Sequence, residues 1–291
     1  MHTDLSRSIL EIAGDDRLSF LQGIITQDTA KLNPGHGIFT ALLSPQGKIL
    51  HDFFLITHGD AILLDCDATQ KETLFKRLTM YKLRAKVTIT DQSDAWQIAY
   101  RTRAEFSDIG HLSHKKHLLL LTDPRAAELG ERLYIAAGQL TPKDTALMDE
   151  YHRHRILLGV PDGAHDISED TPLDGGYDLL NAVSFTKGCY VGQEVTARMH
   201  YKNIARRGFY MVQSPSTLPA FGTAITALEK PIGQLRGSQG ALGLAMLKFE
   251  ETQAALESGA PILVDNIALT VTSPTWMHAK LALFRAAREN Q

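Results

Sequence analysis

Apolar and polar positions along the first two hundred residues switch between short runs and helical spacing. Residues 9–13, closed by Gly14-Asp15-Asp16, predict a strand leading into a helix over about 17–22, which Gly23 stops. Thr26 offers an N-cap for a short helix through 32, ended by Asn33-Pro34-Gly35. Residues 39–43 and 48–56, joined by Ser44-Pro45-Gln46-Gly47, read as a hairpin, and Gly59-Asp60 turns the chain into 61–64. Asp67 followed by Gln70 resembles a capping box, and Leu74, Leu78 and Tyr81 recur on one helical face. Strands follow at 87–90, 96–100 and 118–121. Asp123-Pro124 and Thr141-Pro142 then predict helices through about 134 and 158. Strands and helices without a regular βαβα alternation indicate an α+β fold.

Residues 159–185 form a Gly- and Asp-rich connection, long enough to suggest function. After Arg206-Arg207 the pattern changes to short β-like runs at 209–212, 222–228, 234–236, 241–249, 262–264 and 267–272, spaced by Gly and Pro as in a small barrel or sandwich. This divides the chain into 1–203 and 204–291. The length of 291 residues agrees with about two domains. A hydrophobic share of 44% and a charged share of 22% exclude global disorder and coiled coil. The net charge of −3 provides no field for a long polyanion, so direct nucleic-acid binding is not expected. The longest apolar run, 118–121, is far short of the ~18 residues a membrane span needs, and Met1 to Arg7 carries no export signal. Two distant cysteines, Cys66 and Cys189, make no disulfide framework, and a reducing, cytoplasmic location is expected.

The densest chemical signal is Lys187-Gly188-Cys189-Tyr190-Val191-Gly192-Gln193-Glu194, followed by Arg198. A lysine beside a thiol favours thiolate, and glycines allow a ligand close to the backbone. A tight turn holding a buried, inert cysteine fits the same residues equally well. Cys66, at a strand end, reads as packing. His111, His114 and His117 fall at intervals of three beside Lys115-Lys116, which describes a solvated loop better than a metal site; His152 and His154 lie on opposite helix faces. Gly237, Gly240 and Gly243 lack the strand-turn-helix setting of a dinucleotide site.

The octet resembles the K-G-C-F/Y-x-G-Q-E signature of the YgfZ-type proteins, the folate-binding iron–sulfur cluster assembly and repair factors related to the aminomethyltransferase (T-protein) of glycine cleavage. Phe20-Leu21-Gln22-Gly23 with Thr26-Gln27-Asp28, Pro45-Gln46-Gly47-Lys48, residues 81–87 and residues 235–247 are similar to family blocks in the same order. The resemblance implies an N-terminal folate-binding region of two interleaved α+β subdomains and a C-terminal small β-barrel. It further implies a monomeric accessory factor for 4Fe–4S clusters, with tetrahydrofolate as ligand and client enzymes or cluster carriers as partners. Since some tRNA-modifying enzymes depend on such clusters, it connects the chain indirectly to tRNA modification. Cys189, Lys187 and Asp52 are the implied reactive residues. Gly188, Tyr190, Gly192, Gln193, Glu194, Arg198, Tyr81 and Arg84 are the implied folate contacts, with Lys202 a further candidate cation. One thiol falls short of the four ligands a cluster normally takes, so no resident metal is expected. The alternative is a folate-dependent aminomethyl transferase. T-proteins carry an acidic pair after the hairpin turn, where this chain has Gly47-Lys48-Ile49-Leu50-His51-Asp52. Neighbours on a strand face opposite ways, so the remaining acid serves only if the second position is the catalytic one.

Overall fold

A computed structural model describes residues 3–4, 6–102, 108–115, 118–138, 145–202 and 205–289. The chain gathers into two compact units, Met1–Tyr151 with Leu180–Glu194, and His152–Leu179 with Val195–Gln291. It therefore passes between units at 151/152, 179/180 and 194/195, where the sequence placed one boundary at 203/204, two residues that lie outside the described ones. So do His117 and the cap Thr141-Pro142.

The first unit holds β1 (Thr3–Asp4), β2 (Arg7–Ala13), α1 (Arg17–Gln22), β3 (Ile38–Leu43), β4 (Ile49–His58), β5 (Ala61–Asp67), α2 (Lys71–Lys82), β6 (Thr88–Asp91), β7 (Trp96–Arg101), β8 (Leu112–Lys115), β9 (Leu118–Thr122), β10 (Glu131–Ala136) and the start of α3 (Thr145–Leu157). They form two five-stranded antiparallel sheets, ordered β3-β4-β5-β2-β6 and β1-β7-β10-β9-β8. The expected β3–β4 hairpin is present, turning at Gly47 with φ +74°. Its ladder slips between Leu42↔His51 and Leu43↔Ile49, a bulge that inserts Leu50 and bends the strand near the turn. One face of the first sheet packs Leu10, Ile12, Phe53, Leu55, Leu64 and Cys66 against Leu74 and Leu78 of α2.

The opposite face carries Phe54 and Asp65, paired across β4 and β5, and residues of the second sheet close over them. Asp65 accepts hydrogen bonds from Arg7 Nε at 2.6 Å, Arg132 Nε at 3.2 Å and Tyr134 Oη at 3.0 Å. The Arg132 guanidinium lies 3.9 Å from the Phe54 centroid, and that of Arg125, held by both oxygens of Asp123, lies 5.0 Å from it. Burying ions costs several kcal/mol each, so this layer contributes less to net stability than to fixing one register between the sheets.

Several expectations are corrected here. Asp123-Pro124 starts no helix: the Asp123 carboxylate takes the backbone N–H and guanidinium of Arg125, Gly130 turns the chain at φ +86°, and 131–136 continue as β10. Arg132 and Tyr134 face the buried layer while Leu133 and Ile135 face a separate apolar cluster, an alternation that suits a strand. Thr26 caps nothing; a single 3-10 turn at Thr29–Lys31 is capped by Asp28. Asp67 binds Thr69 within its own loop, so α2 begins at Lys71 without a side-chain cap. His114 lies on β8, where its Nε2 meets the Pro34 carbonyl at 2.9 Å.

The second unit holds the rest of α3, then α4 (Gly163–Asp166), most of α5 (Gln193–Tyr201), β11 (Arg207–Gln213), β12 (Ala224–Ala227), β13 (Lys230–Gln239), β14 (Leu242–Lys248), α6 (Phe249–Ser258), β15 (Leu263–Val264), β16 (Ile267–Ala268), β17 (Thr270–Thr272) and α7 (His278–Glu289). Its seven-stranded sheet is ordered β16-β15-β12-β13-β14-β11-β17. Tyr210, Val212, Ile225, Leu235, Ala245 and Leu247 line the core with Phe249 and Ala255 of α6 and Leu281 and Phe284 of α7. Neither closing helix was expected from the sequence, and 249 opens α6 where a strand was read. The long connection is pinned by buried Asp166, whose oxygens take Arg155 Nη1 at 2.5 Å and the backbone N–H of Asp162 and Gly237 at 2.7 and 2.8 Å. No described helix is long and apolar enough to cross a membrane.

Asp65→Asn removes the buried carboxylate that Arg7 and Arg132 share, an expected loss of about 3–5 kcal/mol, against about 1 kcal/mol for Tyr134→Phe. Urea unfolding midpoints of both variants check the ranking.

Candidate functional site

The site is organised around an amine. Where α1 ends, the carbonyls of Gln22, Ile25 and Gln27 converge, and Lys187 Nζ donates to them at 2.7, 2.7 and 3.0 Å. An ammonium has three protons, and each here has an acceptor. Burial pulls the Lys187 amine down to about 8, opposed by Asp28, so it remains charged at neutral pH. Its Nζ also lies 4.9 Å from the Tyr190 ring centroid. The preceding residues are stitched to the same segment: Thr26 Oγ1 donates to the Ala182 carbonyl at 2.6 Å, Gln27 Nε2 to that of Asn181 at 2.6 Å, and Ser184 N to that of Thr26 at 3.0 Å.

Gly192 is the second anchor. It sits at φ +82°, and a Cβ there would stand 2.6 Å from the Ser44 carbonyl oxygen and 2.9 Å from Leu43 Cβ. The octet thus lies directly on the β3–β4 turn, bringing together two segments the sequence had singled out. Gly188 has open space around it and needs no special conformation. Between the anchors Cys189 is exposed, so it is not the buried cysteine of the second reading. Cys66, by contrast, is fully buried, and burial pushes its thiol up to about 12, far from thiolate at neutral pH. Lys187 spends its protons on carbonyls, so its observed part is to hold the loop rather than to hydrogen-bond the thiol. Gln193 N closes a turn onto the Tyr190 carbonyl at 3.2 Å, and exposed Glu194 occupies the first turn of α5, where a carboxylate complements the helix N-terminus. Arg198 and Lys202 are exposed and belong to the second unit.

Other expected residues are not gathered here. Tyr81, on α2, is partly buried against the core cluster that holds Leu74 and Leu78, and Arg84 is exposed beyond the helix end. No hydrogen bond or ring contact joins either to the octet among the described residues. His51 and Asp52 are both buried and point to opposite faces of β4. His51 Nδ1 lies 3.3 Å from Gln70 Oε1 on the α2 side, and burial lowers its pKa, so the ring is neutral. Asp52 shares the Phe54 face. A cavity of about 290 Å³, which the sequence had not indicated, is lined by Gln27, Lys31, Ile38, Phe39, Pro124 and Asn181 among others. Its residues are scattered from 27 to 181, and only the fold assembles them. Among the described residues no three His, Cys, Asp or Glu side chains cluster as metal ligands.

Known proteins fit this architecture. The crystal structure of the glycine cleavage system aminomethyltransferase T from Bartonella henselae superposes with a TM-score of 0.71 at 16% identity, covering 94% of this chain and 85% of that one. Residues 206–279 match the CAF17 C-terminal beta-barrel domain. The chain therefore has the expected T-protein-like α+β fold with a C-terminal β-barrel. It is 31% identical over 297 residues to the human iron-sulfur cluster assembly factor IBA57, mitochondrial, covering 93% of this chain and 83% of the human protein. The mouse protein of the same name is also 31% identical, over 304 residues, with the same shares covered. The chain belongs to the IBA57 family of iron–sulfur cluster assembly factors, as the resemblance to YgfZ-type proteins implied. The relatives' names overturn the cytoplasmic expectation: these are mitochondrial proteins, which points to the mitochondrion. The reason for the error is physical. A scarcity of cysteines excludes a disulfide framework and distinguishes no further among compartments that lack one.

Gly192→Ala forces a side chain onto the Ser44 carbonyl at a left-handed φ, at an expected cost of about 1–3 kcal/mol. Thiol titration under native conditions should show faster reaction at Cys189 as the loop detaches, with an unchanged, protected Cys66.

Proposed function

We propose that this chain assists the assembly or repair of 4Fe–4S clusters in client enzymes, with Cys189 as the thiol that meets the cluster or its carrier. The observation that carries the reading is an exposed cysteine on a loop fixed at both ends, by the Lys187 carbonyl cage and by Gly192 on the hairpin turn. Iron–sulfur cargo normally takes four ligands, and Cys189 offers one. The remaining thiolates then come from the partner, a cluster carrier or the client itself, which makes the encounter a transient handover. Human and mouse IBA57 are named cluster assembly factors, and the chain shares their family.

Tetrahydrofolate is part of the proposal. The residues expected to hold it fit poorly: Tyr81 packs, partly buried, against the apolar core, and Tyr190 carries the Lys187 ammonium against its ring. The cavity fits better. Ile38, Phe39 and Pro124 offer apolar walls, the Asn181 Oδ1 offers an acceptor, and Lys31 offers a cation for a glutamate tail. When bound, the folate supplies one-carbon or redox chemistry; the chain's own residues bind and orient it. Nothing in the site favours aminomethyl transfer, since Asp52 is 4% exposed on the face that carries Phe54 and Asp65.

In cells lacking the chain, the wild type is expected to restore the activity of a 4Fe–4S enzyme under aerobic growth. Cys189→Ser is expected to fail and Cys66→Ala to succeed. Equal rescue by Cys189→Ser defeats the thiol assignment. In a separate fluorescence titration, Lys31→Glu should weaken tetrahydrofolate binding about tenfold, or about 1.4 kcal/mol. Unchanged affinity places folate elsewhere.

A further inference from the structure

The second unit carries a cluster of cations that the cluster-assembly reading does not use. A groove of about 270 Å³ on the sheet is lined by Arg207, Gln234, Arg236, Met246 and Lys248, with Pro231 and Gly233. Strand alternation places these side chains together. Leu235 and Leu247 point into the core, so their neighbours Gln234, Arg236, Met246 and Lys248 point away from it. Arg207 and Lys248 are directly opposed across β11 and β14, a like-charge pairing that by itself destabilises a sheet.

The acids nearby equal these cations in number but hold them unevenly. Asp170 divides its carboxylate between Arg207 at 3.1 Å and Arg236 at 3.4 Å, and Asp174 takes Arg207 at 3.1 Å. Among the described residues Lys248 reaches Glu251 at 3.6 Å and the Pro231 carbonyl at 3.4 Å. Arg236 is the telling residue. Its side chain is 4% exposed and lies 5.2 Å from the Phe221 centroid, yet its buried Nε has no hydrogen-bond partner among the described residues. A buried guanidinium donor left bare costs about 1–3 kcal/mol or more, and an acceptor in the groove recovers it once the guanidinium turns outward. Burial and the neighbouring Arg207 act in the same sense, lowering the Arg236 pKa against the pull of Asp170.

We propose that this groove binds a small oxyanion, a carboxylate or phosphate group of a metabolite, gripped by the Arg236 and Arg207 guanidiniums and closed by Lys248. Two planar forks beside a mobile ammonium suit an anion with several oxygens. The groove lies wholly within the second unit, and the assignment stands whether or not Cys189 or the folate cavity acts as proposed.

Isothermal titration calorimetry of the full chain at low ionic strength tests it, with inorganic phosphate and citrate as separate probes against chloride at matched ionic strength. Saturable one-to-one binding of either probe is expected. Lys248→Glu, a change at an exposed position, should weaken it about tenfold or more at an unchanged unfolding midpoint. Arg236→Gln should abolish it; if that variant does not fold, Lys248→Glu alone decides. Binding of phosphate only or of citrate only assigns the anion's chemistry. No saturable binding at millimolar anion, or binding indifferent to Lys248→Glu, overturns the proposal.

Discussion

The Asp65 carboxylate is the constraint on which the first unit depends. It is fully buried and receives Arg7 from its own sheet and Arg132 and Tyr134 from the other, so the two sheets can meet in one register only. Sliding β10 by one residue would present Leu133 to the carboxylate and turn the Arg132 guanidinium into apolar surroundings. The Phe54 ring completes the arrangement, because its face accepts the flat Arg132 cation that Asp65 orients. An apolar interface of equal area could be at least as stable, yet it would not punish a wrong register as heavily.

That fixed frame is what allows a loop to be presented rather than merely exposed. The carbonyls of Gln22, Ile25 and Gln27 converge because α1 stops at Gly23 and the chain turns back toward β3, which leaves acceptors that no helix satisfies. Lys187 reaches across the sequence to fill them. Hydrogen bonds to a charged donor count for more than neutral ones, and three of them offset much of the cost of burying an amine. The loop between this cage and Gly192 then carries Cys189 outward with little freedom at either end.

Much of this was legible in the residues, and the failures share a cause. The β3–β4 hairpin, α2 and the β-rich C-terminal part follow from local periodicity and turn chemistry, which act within a few residues. The misread helix after Asp123-Pro124 shows where that stops: an Asp-Pro start is a local signal, and the buried layer that claims Arg132 and Tyr134 overrides it from 67 and 69 residues away. Helices α6 and α7 were missed because a C-terminal region read as strands invited no other element. In the site, the octet was conspicuous, whereas the partners of Lys187 are backbone carbonyls and carry no side-chain signature. Tyr81 was drawn toward a ligand by its residue type, and only packing shows that it lies, partly buried, against the core.

The split of His51 from Asp52 explains how a T-protein-like frame can serve a different chemistry. Two adjacent strand positions cannot serve one substrate, since one side chain faces α2 and the other faces the layer around Phe54 and Asp65. With a neutral imidazole on one face and a buried carboxylate on the other, the strand offers no accessible acid, while an exposed thiol stands at the adjoining hairpin turn. A thiol so placed is open to a macromolecular partner in a way that a strand residue beneath packed side chains is not. The same geometry favours handling a cluster at a protein surface over transferring a one-carbon unit in an enclosed pocket.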